Sequence, residues 1–166
     1  MKTEKLILHV DDDQTTLDLV RKSLQKRGYE VLSFGDPQLA LDALLEHSPR
    51  VVILDIDMAG LDRLTLLRDI KQHVAGIHVV MLTGMIPMAT VLQATGLGAQ
   101  ECVFKPFKNI NDVGDAVDRC FANIESWWDS LREWMERKNA TPPPSPTTSP
   151  AKQLLHAVAR VLNTYP

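Results

Sequence analysis

Five short apolar runs, each followed by a segment with helical spacing, constrain the fold of this 166-residue chain most strongly. The clearest run covers residues 51–54, where four apolar residues end in the carboxylate of Asp55. Such a run is typical of a strand buried on both faces of a parallel sheet. The other predicted strands cover residues 6–10, 30–34, 78–82 and 102–104. The alternation predicts an α/β fold, a doubly wound parallel sheet of five strands with right-handed crossovers.

The segments between the strands carry ordinary helix signals. Apolar residues at helical spacing follow the first strand and stop at Gly28, which is a good C-terminal stop. Asp36 and Pro37 supply an N-cap and a first-turn proline for the second helix. Further helices are predicted at about residues 63–74, 87–97 and 111–139.

Composition excludes several classes of protein. The net charge is −3, and no part of the chain has the basic excess expected of a nucleic-acid-binding surface. No apolar run approaches the roughly 20 residues that span a bilayer, and the N-terminus lacks the anatomy of a signal peptide. Cys102 and Cys120 lie in apolar surroundings and are predicted to be small buried side chains rather than a disulfide. We expect a cytoplasmic protein without membrane or nucleic-acid partners.

Chemically useful side chains stand at the ends of four predicted strands. Asp11 and Asp12 follow the first strand, and Asp55, Thr83 and Lys105 end or follow three others. Taken singly, each has an ordinary explanation as a loop cap, a helix cap or a solvated charge. Ligands of parallel sheets bind beyond the carboxyl ends of the strands, so these residues are expected to converge at one edge. His9, inside the first strand, is predicted to be a packed core residue rather than a ligand.

Three clustered carboxylates repel one another unless a cation joins them. Oxygen ligands in an open site favour Mg²⁺ over zinc, which prefers His and Cys. The same set of groups suits phosphoryl transfer, in which Asp55 would attack phosphorus in line. Lys105 and the cation would neutralise the equatorial oxygens, and Thr83 would donate a hydrogen bond to one of them.

These motifs make the chain resemble the CheY-like receiver domain of two-component response regulators over about residues 4–125. The resemblance rests on four segments that occur in the family's order and spacing: Val10-Asp11-Asp12-Asp13, Leu54-Asp55-Ile56-Asp57-Met58, Met81-Leu82-Thr83-Gly84 and Val103-Phe104-Lys105-Pro106-Phe107. It implies a flavodoxin-like fold and the function of a response regulator. Because no helix-turn-helix or enzyme module is recognised after the receiver segment, we expect signalling through protein–protein contacts without a DNA-binding output domain. Such a protein catalyses only its own phosphorylation and dephosphorylation.

The resemblance also implies a role for each motif residue. Asp55 would be the phosphoacceptor, with a histidine kinase or a phosphotransfer protein as the donor. Asp11 and Asp12 match the acidic pair that organises Mg²⁺, and the backbone carbonyl of Asp57 matches a further ligand. Thr83 and Lys105 match the pair that senses and binds the phosphoryl group. The Lys105–Pro106 peptide resembles one that is cis in the family.

The sequence departs from the family's usual pattern in three regions. After the phosphoacceptor, Ala59 replaces a proline and Arg63 replaces a glycine. Cys102 replaces the aromatic residue of the family's threonine–aromatic switch. Met85 places an apolar group where a polar side chain can help to orient the hydrolytic water, so we predict a long-lived aspartyl phosphate.

The last predicted helix overruns the receiver domain. Its apolar residues keep a 4-3 spacing from Val113 to Trp134. Beyond the domain end they form a predicted partner surface, which would be covered by a second copy or an effector protein, or by the same chain folding back. This surface comprises Trp127, Trp128, Leu131 and Trp134.

The chain is thus predicted to have four parts. Residues 1–125 form the receiver domain and 126–139 extend its last helix. Residues 140–150 are a linker rich in Pro, Ser and Thr, which could also be a ligand of a proline-recognition module. Residues 151–166 carry one apolar face and are either disordered or a short helix that binds something.

Two other functions remain open. The Asp55-Ile56-Asp57 motif also resembles the nucleophile motif of haloacid-dehalogenase-type phosphatases, which use Mg²⁺, Thr and Lys similarly. Those enzymes place this motif on the first strand and a second acidic pair after the lysine, whereas here the acidic pair comes first. The other alternative is a receiver-like scaffold that acts without phosphorylation. The presence of all five site residues argues against this scaffold.

Overall fold

The computed structural model describes residues 5–58, 64–74, 76–84 and 86–137. The predicted linker and tail, the departures at Ala59 and Arg63, and Met85 lie outside these residues. The described chain alternates strands with helices, as predicted. The elements in chain order are β1 (Leu6–Val10), α1 (Gln14–Lys26), β2 (Glu30–Phe34), α2 (Pro37–His47), β3 (Val51–Asp55), α3 (Thr65–His73), β4 (His78–Thr83), α4 (Met88–Gly96), β5 (Glu101–Phe104) and α5 (Asn111–Arg137).

All five strands are parallel and form one sheet in the order β2-β1-β3-β4-β5. This order confirms the predicted five-stranded, doubly wound, flavodoxin-like sheet. Because β1 and β3 are neighbours at its centre, the residues at their carboxyl ends lie side by side. The sheet thereby positions the loop after β1 beside Asp55.

Two apolar layers cover the faces of the sheet. On one face, Leu8 and Val10 of β1 pack with buried residues of α2, α3 and α4. On the other, Ile7 packs with buried residues of α1 and α5. Since all five residues of β3 are buried, its apolar run needs no polar face.

Local signals start and stop the helices as the sequence predicts. The side chain of Asp36 accepts a hydrogen bond from the backbone N–H of Gln38, and Pro37 begins α2. Gly28 follows α1 with a positive φ of 83°. Asp13 caps α1 by accepting from the N–H groups of Thr15 and Thr16, a role that the sequence analysis did not assign.

Helix α5 has two environments along its 27 residues. Val113, Val117, Cys120 and Ile124 are buried against the sheet, as the 4-3 spacing predicts. Beyond Ile124 the described part of the helix continues to Arg137 with exposed or half-buried side chains. No helix in the described residues has the length and apolar character needed to cross a bilayer.

Trp128 differs from the other members of the predicted partner surface. It is half-buried and packs against the apolar cluster beneath α5. Its own domain therefore covers much of the indole that was predicted to face a partner. Trp127 and Trp134 are exposed, and Leu131 is half-buried.

Candidate functional site

Two buried carboxylates are fixed at the carboxyl edge of the sheet. Asp55 is the last residue of β3, and Asp11 directly follows β1. In each loop the carboxylate accepts a hydrogen bond from the backbone N–H two residues later. Asp13 N donates to Asp11 Oδ1 over 2.9 Å, and Asp57 N donates to Asp55 Oδ1 over 2.9 Å. These bonds orient both side chains and leave the Oδ2 atoms for other partners.

Lys105 bridges these two carboxylates. Its Nζ donates to Asp11 Oδ2 over 2.6 Å and to Asp55 Oδ2 over 2.9 Å. The lysine follows β5, where its backbone N–H donates to the carbonyl of Thr83 over 2.6 Å. The following Lys105–Pro106 peptide is cis, as the family resemblance implies. The lysine side chain thus reaches from the end of β5 past β4, and its ammonium group lies between the ends of β1 and β3.

The electrostatics keep this lysine protonated. Burial alone would lower the pKa of Lys105, but the hydrogen bonds and charges of Asp11 and Asp55 outweigh it and raise that pKa. Burial raises the pKa of Asp11, against the opposing effect of Lys105. The pocket therefore gathers two desolvated carboxyl groups around one cation, which favours the binding of further positive charge.

Three carboxyl groups can share a metal ion. Asp11, Asp12 and Asp55 each offer an oxygen atom, and these atoms all lie within 4.8 Å of one another. Asp12 is exposed, so the cluster is open to solvent on one side. A donor set of oxygens with access to water fits Mg²⁺, which keeps several waters when it binds protein.

The predicted metal-ligand role of Asp57 stays a prediction. Its side chain is exposed and lies close to the loop after β4. A Cβ atom at Gly84 would come within 3.2 Å of Asp57 Oδ2, so the glycine allows these two loops to approach closely. Gly84 belongs to the motif that ends in Thr83-Gly84, but its close approach to Asp57 was not predicted from the sequence.

The two residues named as the switch lie on neighbouring strands. Thr83 ends β4, is fully buried, and its hydroxyl donates a long hydrogen bond of 3.5 Å to the carbonyl of Gly84. Cys102 pairs with Met81 and packs half-buried against the layer that contains α4. Burial raises the pKa of its thiol, so Cys102 acts as a small neutral side chain. Both Cys102 and Cys120 are free thiols, as predicted.

His9 lies in the core behind the pocket. It is fully buried, and its Nε2 atom is 4.0 Å from Asp11 Oδ2. Neither ring nitrogen has a hydrogen-bond partner among the described residues. Burial, aided by the charge of Lys105, lowers its pKa to about 3, so the imidazole is neutral at pH 7. This agrees with the predicted core role.

A family model for the response regulator receiver domain matches residues 7–118. The chain is 34% identical to the chemotaxis protein CheY of Bacillus subtilis over 103 residues, which cover 61% of this chain and 86% of that protein. It is 33% identical to the transcriptional regulatory protein FixJ of Bradyrhizobium diazoefficiens over 126 residues, which cover 76% of this chain and only 58% of FixJ.

Solved structures give the same result. The receiver domain of NtrX from Brucella abortus superposes with a TM-score of 0.65 at 35% identity, covering 69% of this chain and 96% of that domain. A response regulator receiver domain from Clostridium thermocellum superposes with a TM-score of 0.68 at 29% identity, covering 74% of this chain and 98% of that one. Residues 7–118, which the family model matches, contain the pocket of Asp11, Asp55 and Lys105. The chain belongs to the receiver domain family of two-component response regulators.

Proposed function

We propose that Asp55 accepts a phosphoryl group from a histidine kinase or a phosphotransfer protein in a Mg²⁺-dependent reaction. The observation that carries this proposal is the placement of Lys105 Nζ between Asp55 Oδ2 and Asp11 Oδ2. One ammonium group thereby contacts both the proposed nucleophile and a proposed metal ligand. The receiver-domain match covers the whole pocket, so the alternative of a haloacid-dehalogenase-type phosphatase is not needed to explain this arrangement.

The chain's own residues would prepare Asp55 for attack. The backbone N–H of Asp57 and the ammonium of Lys105 hold its two oxygens, so the carboxylate needs little reorientation. A carboxylate oxygen would form the new bond to phosphorus while the bond to the donor imidazole nitrogen breaks. Lys105 would neutralise charge on the transferred group, and Thr83 would donate its hydroxyl to one of the phosphoryl oxygens.

Asp11, Asp12 and Asp55 would hold Mg²⁺, together with the predicted carbonyl of Asp57. The ion would supply positive charge beside the equatorial oxygens of the phosphoryl group. We infer that the protein otherwise has no enzymatic activity and that it catalyses only the gain and loss of its own phosphoryl group. Its signal would pass to a partner protein in the cytoplasm.

A phosphodonor experiment tests this proposal. The full chain is incubated with acetyl phosphate and Mg²⁺ beside the Asp55→Asn and Asp57→Asn variants, and phosphorylated protein is separated on a mobility-shift gel. We expect a base-labile modification in the wild type and in Asp57→Asn, which keeps the backbone carbonyl, and none in Asp55→Asn. Modification of Asp55→Asn would contradict the assignment.

A protein donor completes the test, because some acceptors react only with their kinase. A phosphorylated phosphotransfer domain from the same genome is the second donor. Failure of the wild type with both donors would favour the scaffold that works without phosphorylation. Light scattering of the same samples then measures whether phosphorylation changes the mass of the particle.

A further inference from the structure

The end of α5 carries an exposed apolar face that the receiver chemistry does not use. Trp127 and Trp134 are 64% and 56% exposed, and the half-buried Leu131 lies between them. Spacings of four and three residues place these side chains on one side of a helix. We call these three residues the tryptophan face. Two largely exposed indoles on one side of a helix are a candidate contact site, because such side chains are common at interfaces.

A neighbouring indole holds this face in place. Trp127 packs edge-on against Trp128, with ring centroids 5.8 Å apart and planes at 90°. Trp128 is itself half-buried against the apolar cluster beneath α5. Because its neighbour occupies the space next to the domain, Trp127 stays directed away from the described core. The face is therefore preorganised for an occupant.

A second copy of the chain fits this face poorly. A fully buried tryptophan contributes about 150–250 Å², so the exposed parts of two indoles offer only roughly 300 Å² per chain. Two chains would then bury roughly 600 Å² at this face, whereas stable interfaces bury about 1,200–2,000 Å². Residues 125–137 carry two more acidic than basic side chains, which gives a second copy no electrostatic attraction at this face. The charged residues are Glu125, Asp129, Glu133 and Glu136 against Arg132 and Arg137, which pair with Asp129 and Glu133.

The chain itself supplies a better occupant. We propose that residues 154–162 of the same chain dock on the tryptophan face as a short amphipathic helix. In sequence this segment places its apolar residues on one helical side: Leu154, Leu155, Val158, Val161 and Leu162. Residues 151–166 contain Lys152 and Arg160 but no Asp or Glu, which complements the acidic excess of residues 125–137.

The length of the intervening chain permits this contact. Residues 138–150 separate the end of α5 from the tail, and a segment of 13 residues can reach at most about 40 Å in a polyproline-like conformation. The distance along α5 from Trp127 to Arg137 is only about 15 Å. The tail can therefore turn back and run beside the helix in the opposite direction.

Tethering explains why so small a surface suffices. An intramolecular partner has an effective concentration in the millimolar range, so it needs much less buried area than a free partner. An isolated helix of about 13 residues is marginal in water. Docking and helix formation in the tail would therefore occur together. This contact does not require phosphorylation of Asp55.

The three tryptophans of the chain all lie in α5, so tryptophan fluorescence, excited selectively over that of tyrosine, reports on this helix. The test uses the full chain and two triple variants that introduce the same serines on opposite sides of the tail, so that its charge is unchanged. The apolar-side variant is Leu155→Ser, Val158→Ser and Leu162→Ser. The matched control is Gln153→Ser, His156→Ser and Asn163→Ser. Emission maxima and acrylamide quenching are measured over a hundredfold range of protein concentration.

We expect the apolar-side variant to show a red-shifted emission and about twofold stronger quenching, together with less helix by circular dichroism. The control variant should match the wild type, and no signal should depend on concentration. Identical fluorescence in all three proteins would overturn the proposal. Protection that grows with concentration would also overturn it, since a second copy would then be the occupant. Because the phosphodonor reaction at Asp55 uses a separate part of the molecule, it serves as the check that each variant is folded.

Discussion

The guanidinium group of Arg27 occupies the space that a side chain at Gly114 would fill. A Cβ atom at Gly114 would lie 2.4 Å from both Cζ and Nε of Arg27. Arg27 Nη1 donates to Asp118 Oδ2 over 2.6 Å and lies 2.8 Å from Asp115 Oδ1, and its Nη2 donates to the carbonyl of Asn111 over 3.2 Å. The glycine in the first turns of α5 thus lets a cation from the end of α1 join the two helices.

This contact predicts that the effect of Gly114→Ala on stability depends on the presence of Arg27. In an exposed helix the change from glycine to alanine adds about 1 kcal/mol of stability. Here the new methyl group would displace Arg27 from its carboxylates, so we expect a loss of roughly 1 kcal/mol instead. In an Arg27→Ala background the same substitution should stabilise. Urea unfolding of the four proteins measures the coupling, and equal effects in both backgrounds would contradict the prediction.

Replacing Lys105 should strengthen Mg²⁺ binding while it abolishes phosphorylation. Its ammonium lies within 3 Å of two carboxylates that would hold the cation, so it competes with the metal for the same negative charge. We expect Lys105→Met to bind Mg²⁺ roughly tenfold more tightly by isothermal titration calorimetry. Lys108→Met, an exposed change in the same loop, is the control. Weaker binding in Lys105→Met would mean that the lysine is needed to arrange the carboxylates.

The buried His9 should make the fold sensitive to acid. Its pKa falls from an ordinary value of 6.5 to about 3 in the folded state, so between these values only the unfolded chain binds the proton. The contribution of the neutral His9 imidazole to the free energy of unfolding is complete above pH 6.5. It is lost as the pH falls toward 3, by up to about 1.4 kcal/mol per pH unit.

His9→Leu should remove that slope from the pH dependence of the free energy of unfolding, measured between pH 3.5 and 6.5. The ring makes no hydrogen bond within the described residues, so the apolar replacement loses no polar contact there. His47→Gln at the exposed end of α2 should keep the wild-type slope. An unchanged slope in His9→Leu would show that other groups cause the acid sensitivity.

The lifetime of the aspartyl phosphate tests the sequence prediction at Met85, a residue outside the described part of the chain. An apolar side chain there cannot orient a water for hydrolysis, so we expect the phosphoryl group to persist for many minutes without a phosphatase. Met85→Asn should shorten this lifetime several-fold in a gel time course at constant Mg²⁺. A wild-type half-life of seconds would contradict the prediction.

The sequence predicted the centre of the sheet well because β1, β3 and β4 are almost fully buried. Residues 6–10 and 30–34 have the predicted bounds, whereas Asp55 and Thr83 prove to be the last residues of their strands rather than the residues after them. Apolar runs mark burial, but strand ends depend on ladder hydrogen bonds such as that from Ile56 N to Leu82 O. The convergence of Asp11, Asp12 and Asp55 followed from the direction of parallel strands and needed no structure to predict.

Contacts between distant parts of the chain could not be predicted in this way. The 4-3 spacing along α5 gives directions around the helix, but it does not show that Trp128 packs against the apolar cluster beneath that helix. Similarly, nothing in the sequence near Gly114 indicates that its space belongs to Arg27.

Helix α5 also has a geometry that would enlarge small motions of the domain at its far end. It is one continuous helix whose first half is packed on the sheet, while the part beyond Ile124 extends for about 20 Å. If the packed half tilts by about 10°, the far end moves by about 3 Å as a rigid body. A displacement too small to repack the core would thus be amplified at Trp134. The distal end of the helix is where a small motion of the domain would be largest.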